Sequence, residues 1–314
     1  MNGHSLSGLI SELKISVPWG HIAAKAWGSH RDPPVLCLHA WLDNASSFDR
    51  LIPLLPKDFY YVAMDFGGHG LSSHYSPGFL YNHQNYVNEV RRVVAALQWN
   101  RFSLVCHSFG GIVGGMFSCI FPEMVDKLVL LETLPFMPDI IESENLLTYK
   151  RRIIEHSLQV EASKNPPQVV SPEEVLRSLL KRNTHVEEEC GKLLLQRGTT
   201  QVATGLLPNR DPRLAKVEYT FEFISRNLLV HSIKKLQACV LMVKATQGHY
   251  GVSTGTTNRE DVKFTMDSLK SILKERFQYV DVAGSHYVHM NQPERVAGVV
   301  GSFLQSKERL PAHL

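Results

Sequence analysis

The sequence predicts an α/β protein built on a mainly parallel sheet, and three observations carry that expectation. Apolar runs of strand length recur along the chain, each closed by turn chemistry. Helix-spaced segments separate them, the alternation expected of a sheet flanked by helices. A charged, amphipathic block over residues 134–235 interrupts the alternation once, after which it resumes. In order, residues 11–17 and 20–27 read as a starting hairpin around Pro18-Trp19-Gly20. The runs at 35–39, 60–65 and 102–106 are candidate central strands. Between them, 46–55 and 86–99 carry helical spacing, the second as Val87, Val90, Val94 and Leu97. A strand at 125–131 ends in Glu132. Residues 144–160 and 172–180 are amphipathic and 134–235 contains no convincing strand, so the block reads as a helical insertion. Strand 239–244, helix 260–275, strand 278–282 and a helix over 293–304 complete the pattern. The core is thus expected over 1–133 and 236–314, with the insertion lacking a core of its own.

Composition narrows the function classes. The 314 residues are 44% hydrophobic and 20% charged, values of an ordinary globular chain that exclude disorder and coiled coil as the main state. A net charge of +3 without a basic stripe argues against a nucleic-acid partner. The five cysteines, at 37, 106, 119, 190 and 239, are odd in number and lack C-x-x-C spacing, which disfavours a disulfide framework or a zinc site and suits a reducing compartment. Residues 1–14 have no basic leader region, and Glu12 and Lys14 interrupt the apolar stretch, so no secretory signal is expected. Residues 102–122 are free of Asp, Glu, Lys and Arg and long enough to span a bilayer, but their serines, glycines and His107 favour a buried strand followed by a buried helix. No transmembrane segment is therefore expected.

The sharpest local signal is Val105-Cys106-His107-Ser108-Phe109-Gly110-Gly111, a serine between a strand and a glycine-rich helix start. A hydroxyl there sits exposed on a tight turn, with backbone amides and the positive helix end facing incoming negative charge. The segment resembles the nucleophile elbow, G-x-S-x-G, of the α/β-hydrolase fold, with Cys106 where the first glycine usually stands. The resemblance extends upstream to Leu38-His39-Ala40-Trp41, where members carry His-Gly and then an oxyanion-hole donor. It implies backbone N–H donors from Trp41 and Phe109. Ala40 replaces the glycine; if that position needs a positive φ, alanine costs about 1 kcal/mol and displaces the Trp41 amide. Asp65-Phe66-Gly67-Gly68-His69-Gly70-Leu71-Ser72 is similar to the family's D-x-x-G-H-G-x-S loop, and its Asp and His are expected to hydrogen-bond backbone.

Downstream, Gly284-Ser285-His286-Tyr287-Val288-His289 followed by Pro293 resembles the family's histidine loop, and His286 matches the catalytic base. His289 is read as a packing or hydrogen-bonding residue, and His107 as structural, pointing away along its strand. Most members place the acid after the strand at 239–244, but here that strand runs into Ala245-Thr246-Gln247-Gly248-His249 with no carboxylate. Glu132, one strand earlier, satisfies the chain order Ser, acid, His. Its other reading is a strand-end carboxylate that anchors the insertion, and Asp261 is a further candidate acid.

The wording is closest to the serine hydrolase-like group, through Val17-Pro18-Trp19-Gly20-His21, Trp41-Leu42-Asp43-Asn44-Ala45-Ser46-Ser47-Phe48 and Met64-Asp65-Phe66-Gly67-Gly68-His69-Gly70. This resemblance implies an eight-stranded sheet with a helical cap inserted after the sixth strand. It further implies hydrolysis of a small acyl ester or thioester by Ser108, His286 and Glu132, with no metal or organic cofactor. The alternative is a catalytically weak or inactive member acting as a ligand-binding or interaction protein, motivated by Cys106, Ala40 and the missing later carboxylate. Ala312-His313-Leu314 fits a relaxed form of the Ser-Lys-Leu peroxisomal address, with Lys307 and Arg309 just upstream. The expected location is peroxisomal or cytoplasmic, with the peroxisomal import receptor as a partner.

Overall fold

The computed structural model describes residues 10–138, 143–163, 168–215, 223–248 and 259–307. In chain order, β1 (Ile10–Val17) and β2 (Gly20–Trp27) form a hairpin, followed by β3 (Pro34–Leu38), β4 (Tyr60–Met64), α1 (His83–Ala96), β5 (Phe102–His107), α2 (Phe109–Ile120) and β6 (Val125–Leu131). Next come β7 (Met137–Pro138), α3 (Ser143–Ala162), α4 (Pro172–Arg182), α5 (Glu188–Gly198), β8 (Thr199–Val202), β9 (Gly205–Pro208), β10 (Phe223–Ile224) and α6 (Arg226–Lys235). The remaining elements are β11 (Cys239–Ala245), α7 (Arg259–Leu273), β12 (Phe277–Val282), α8 (Val288–Asn291) and α9 (Glu294–Gln305).

The main sheet has eight strands in the order β1-β2-β4-β3-β5-β6-β11-β12. Every pair from β4 to β12 is parallel, while β1–β2 and β2–β4 are antiparallel. Central strands alternate between two apolar layers, as the period of two dictates. Leu36, Leu38, Leu104, Cys106, Leu128, Leu130 and Met242 bury against α1, α2, α6 and α7. Val35, Cys37, Val105, Val129, Leu131 and Val243 bury on the other face against Phe48, Leu51 and α9. From β3 the chain turns to β4 on one side and later returns to β5 on the other. The carboxyl ends of β3 and β5 therefore flank the crevice where such sheets place their sites.

Several elements differ from the sequence expectation for local reasons. Two 3-10 turns, Ala45–Phe48 and Ile52–Leu54, stand where a helix over 46–55 is expected. Pro53 has no N–H to donate back one turn, so a continuous helix breaks there. Helix α1 begins at His83, three residues before the expected start at 86, because the Asn82 side chain accepts from the Asn85 amide at 2.9 Å and caps it. The insertion is helical at α3, α4 and α5, but it also holds the hairpin β8–β9 and the short parallel pair β7–β10. These strands are two to four residues long, too short for alternation to register. Leu229, Ile233 and Leu236, from α6 and the residue after it, bury with Leu128 and Leu269, so this helix at the end of 134–235 packs within the sheet's helical layer.

The α4–α5 hairpin is seated firmly on the core. Val186, Cys190 and Leu194 bury with Tyr287 and Met290. The Asn44 side-chain amide donates to the Leu194 carbonyl at 2.8 Å, and Arg197 donates to Asp65 and to Glu12, each at 2.7 Å. His249, Arg309 and Ala312-His313-Leu314 lie outside the described residues. The uncharged run 102–122 forms β5 and α2, and no described helix is long and apolar enough to cross a membrane.

Candidate active site

Ser108 stands between β5 and α2 with φ 49° and ψ −118°, a conformation that side-chain-bearing residues rarely adopt. Close packing around the turn holds it there. A Cβ on Gly110 would lie 2.3 Å from the Leu38 carbonyl oxygen, and one on Gly111 would lie 2.1 Å from Thr133. The start of α2 can thus press against β3 and the β6 exit only with glycine at both positions. Cys106 is accommodated by the same device, since a Cβ on Gly114 would lie 2.6 Å from its sulfur. Complete burial holds the Cys106 thiol well above its usual pKa, so it stays an inert packing group. The Ser108 amide donates to the Leu131 carbonyl at 3.1 Å and extends the β5–β6 ladder into the turn.

The structure brings three distant side chains into one hydrogen-bonded chain. His286 Nε2 lies 3.0 Å from Ser108 Oγ, and its Nδ1 lies 3.2 Å from Glu132 Oε2. Glu132 is an ionisable acceptor, so the proton belongs on Nδ1 and Nε2 is left to accept from the serine. Glu132 itself is buried, with φ 54°, and its amide donates to the Val243 carbonyl at 2.9 Å. Its Oε1 accepts from the Ala245 amide. The carboxylate fills the place above the end of β11 where the sequence offers no acid. A Cβ on Gly248 would fall 1.7 Å from Glu132 Oε2. Asp261, the other candidate acid, pairs with Arg226 at 2.9 Å on α7.

The segment after β3 is fixed by His39. Its Nε2 accepts from the Phe66 amide at 3.0 Å, and its Nδ1 donates to the Ala40 carbonyl at 2.6 Å. Burial keeps this imidazole neutral, which acceptance at Nε2 requires. In a trans peptide the N–H of Trp41 points opposite to the Ala40 carbonyl, so anchoring one aims the other. The left-handed residue of this loop is Leu42, φ 64°, and not Ala40, so the substitution of glycine by alanine at 40 carries no penalty of that kind. The Trp41 ring meets Phe109 edge to face at 5.1 Å between centroids. The Phe109 amide opens α2, at its positive end.

The surrounding polar groups are mostly supports. Asp65 accepts from the Ala45 and Leu71 amides at 2.7 and 2.8 Å, and His69 Nδ1 lies 3.0 Å from the Gly67 carbonyl, a backbone-organising loop. His289 pairs with Ser47 at 2.9 Å, and burial lowers its pKa to about 3. Tyr287 donates to Asp43 at 3.1 Å and accepts from Asn183 at 2.7 Å, linking the loop after β3, the histidine loop and the insertion. Burial pushes the Asp43 carboxyl up to about 8. His107, expected to point away, instead contacts the histidine loop, with Nε2 2.9 Å from the His286 carbonyl. Its register on β5 gave no sign of this, because the partner is a backbone atom remote in sequence. Among the described residues, no group of three or more His, Cys, Asp or Glu side chains is placed to hold a metal ion.

A mainly parallel eight-stranded sheet with a serine elbow facing a histidine and an acid defines a class, and comparison with known proteins agrees. The model for the alpha/beta hydrolase fold matches residues 33–249. The chain is 64% identical over 314 residues, all of both chains, to serine hydrolase-like protein 2 of Homo sapiens. It is 61% identical over 305 residues to the serine hydrolase-like protein of Mus musculus, covering 96% of this chain and 98% of that one. The chain therefore belongs to the alpha/beta hydrolase family, among its serine hydrolase-like proteins. A crystal structure of a hypothetical protein from Pseudomonas aeruginosa PAO1 superposes with TM-score 0.80 at 27% identity, covering 94% of this chain and 99% of that one. A thioesterase domain from the curacin biosynthetic pathway shares the fold with TM-score 0.77 at 20% identity, over 95% of this chain and 100% of that one.

Proposed function

We propose that the protein hydrolyses a carboxylic ester or thioester by acyl transfer through Ser108. The observation that carries this reading is the unbroken hydrogen-bonded chain from Glu132 through His286 to Ser108, mounted on a strained turn. A serine hydroxyl is a weak nucleophile until a base takes its proton. His286 Nε2 is within reach of that proton, and Glu132 favours the tautomer that can receive it and the imidazolium that results. The oxygen of Ser108 attacks the carbonyl carbon, and the carbonyl oxygen takes the negative charge. The amides of Trp41 and Phe109 would hold that oxyanion, a contribution of about 3–4 kcal/mol for each donor. The imidazolium then protonates the departing alcohol or thiol. Water, deprotonated by the same imidazole, cleaves the acyl-enzyme and regenerates Ser108. The part of the insertion that precedes α6 would cover the site and set the acyl group it admits.

The three departures from the family pattern do not argue for an inactive binder. Cys106 is matched by Gly114, Ala40 lies outside the left-handed region, and Glu132 occupies the space beside Gly248. A fluorophosphonate, which phosphonylates activated serines, is expected to label the protein at Ser108, read by peptide mass. p-Nitrophenyl esters of graded chain length then report turnover and acyl preference. A folded protein that neither labels nor turns over any of the esters overturns the reading.

Gly248→Ala tests the acid separately. The new Cβ would displace a carboxylate held at both oxygens, so the esterase rate is expected to fall roughly 10- to 100-fold while the melting temperature moves by only a few degrees. A variant with the wild-type rate would show that Glu132 does not act from this position.

A further inference from the structure

We infer that His107 is a positioning residue that sets where His286 stands relative to Ser108, by donating from Nε2 to the His286 carbonyl. The inference rests on the reading of His286 as the general base. Three backbone hydrogen bonds tie the site together from one side. The Ser108 amide reaches Leu131 at 3.1 Å, the Glu132 amide reaches Val243 at 2.9 Å, and the Gln247 amide reaches Gly284 at 2.9 Å. This series runs from the elbow across β6 and β11 to the loop after β12. That loop follows the edge strand of the sheet, which is paired on one side only. The 2.9 Å contact from His107 to the His286 carbonyl returns from the far end of the series to the strand that carries Ser108, closing a ring. The residue next to the nucleophile thus holds the main chain of the base.

The chemistry of His107 suits that task. The ring is fully buried between the sheet and the histidine loop, with its centroid 4.9 Å from that of His286, 4.0 Å from His289 and 5.0 Å from Tyr287. Donation from Nε2 leaves Nδ1 without a proton, and Nδ1 is buried with no hydrogen-bond partner among the described residues. Burial is the main reason that His107 stays neutral, and the nearby His289, His286 and His39 each disfavour a further positive charge, outweighing the contact to the His286 carbonyl. A neutral ring is what the base requires of a neighbour, because a cation at this distance would oppose the imidazolium that forms on His286. An unpartnered buried acceptor is a cost that a purely packing side chain would not carry.

Glutamine and methionine at 107 separate the donor from the packing, since they are alike in length and shape and only glutamine carries an N–H where imidazole has Nε2. His107→Met is expected to lower kcat for a p-nitrophenyl ester by about tenfold or more with KM changed less than about twofold, and His107→Gln to stay within about threefold of wild type. The Nδ1 proton of His286, hydrogen-bonded to Glu132, gives a second reading by proton NMR that needs no substrate. It is expected in the wild type and in His107→Gln, and broadened or lost in His107→Met. Equal kcat and equal proton signals in both variants overturn the inference, as does a folded His107→Gln as slow as His107→Met. If His107→Met does not fold, a folded His107→Gln more than about tenfold slower than wild type overturns it, and one within about threefold supports it. A wild type that turns over no ester removes the hydrolase reading alone, and the proton signal still decides whether His107 places His286.

Discussion

Ser108→Ala is expected to lower ester turnover by roughly 10⁵- to 10⁶-fold and to abolish fluorophosphonate labelling. The size follows from the proposed mechanism: with no nucleophile, His286 and Glu132 would have nothing to activate on the protein, and what remains would be the help that the proposed oxyanion donors give to direct attack by water. The fold should not suffer, because alanine has the same Cβ as serine and meets the same strain at φ 49°. Glycine carries no such strain, so Ser108→Gly is expected to be equally inactive yet to melt a few degrees higher, corresponding to about 1 kcal/mol of relieved backbone energy. That pair separates catalysis from stability at one position. Retained turnover in Ser108→Ala would move the chemistry to another residue. A lower melting temperature in Ser108→Gly would mean that the elbow is not strained.

Glu132→Gln should cost roughly 10³- to 10⁴-fold in kcat with the fold intact, and hydrogen-bond directions give the reason. The Ala245 amide needs an acceptor, which Oε1 of Glu132 now supplies. In the glutamine variant the amide oxygen must take that place, which turns its NH2 toward His286. Nδ1 must then accept instead of donate, the proton moves to Nε2, and Ser108 Oγ faces a donor where it needs a base. Placing NH2 toward Ala245 instead would set two donors against each other in a buried site. Both arrangements remove the competent tautomer. Stopped-flow acylation with a p-nitrophenyl ester checks this directly, and an acylation rate within tenfold of wild type would remove Glu132 from the chemistry.

Ser108 and His286, which the structure brings within 3.0 Å, were legible as candidates because each sits in a short segment whose chemistry is local: a serine ahead of glycines that a tight turn needs, and a histidine in a compact loop before a helix. The acid was named as Glu132 from chain order, with Asp261 as a further candidate, and not from any local signal. Nothing in Val129-Leu130-Leu131-Glu132 says that its carboxylate reaches past its own strand, and Asp261 satisfies the same chain order between Ser108 and His286. The choice follows from β6 lying beside β11 and from Gly248 leaving space above the strand end, two facts that exist only once the sheet is assembled. His107 was misread for the same reason, since strand alternation gives the side a residue faces and not the backbone atom it meets.

The same division runs through the fold. Apolar period, turn chemistry and glycine placement set the alternation of strands and helices, because those preferences act over a few residues. The helix expected over 46–55 gave way to two turns at Pro53, and α1 gained a turn through Asn82, both corrections that local rules explain. The β8–β9 hairpin, the packing of α6 into the sheet's helical layer and the seating of α4–α5 against Tyr287 and Met290 depend on contacts between segments far apart in sequence. The chain alone specifies the α/β class and the two segments that carry Ser108 and His286, since their causes are short-range. Which carboxylate meets His286, and which side chain meets its carbonyl, is decided by strand adjacency and packing space, properties of the assembled sheet.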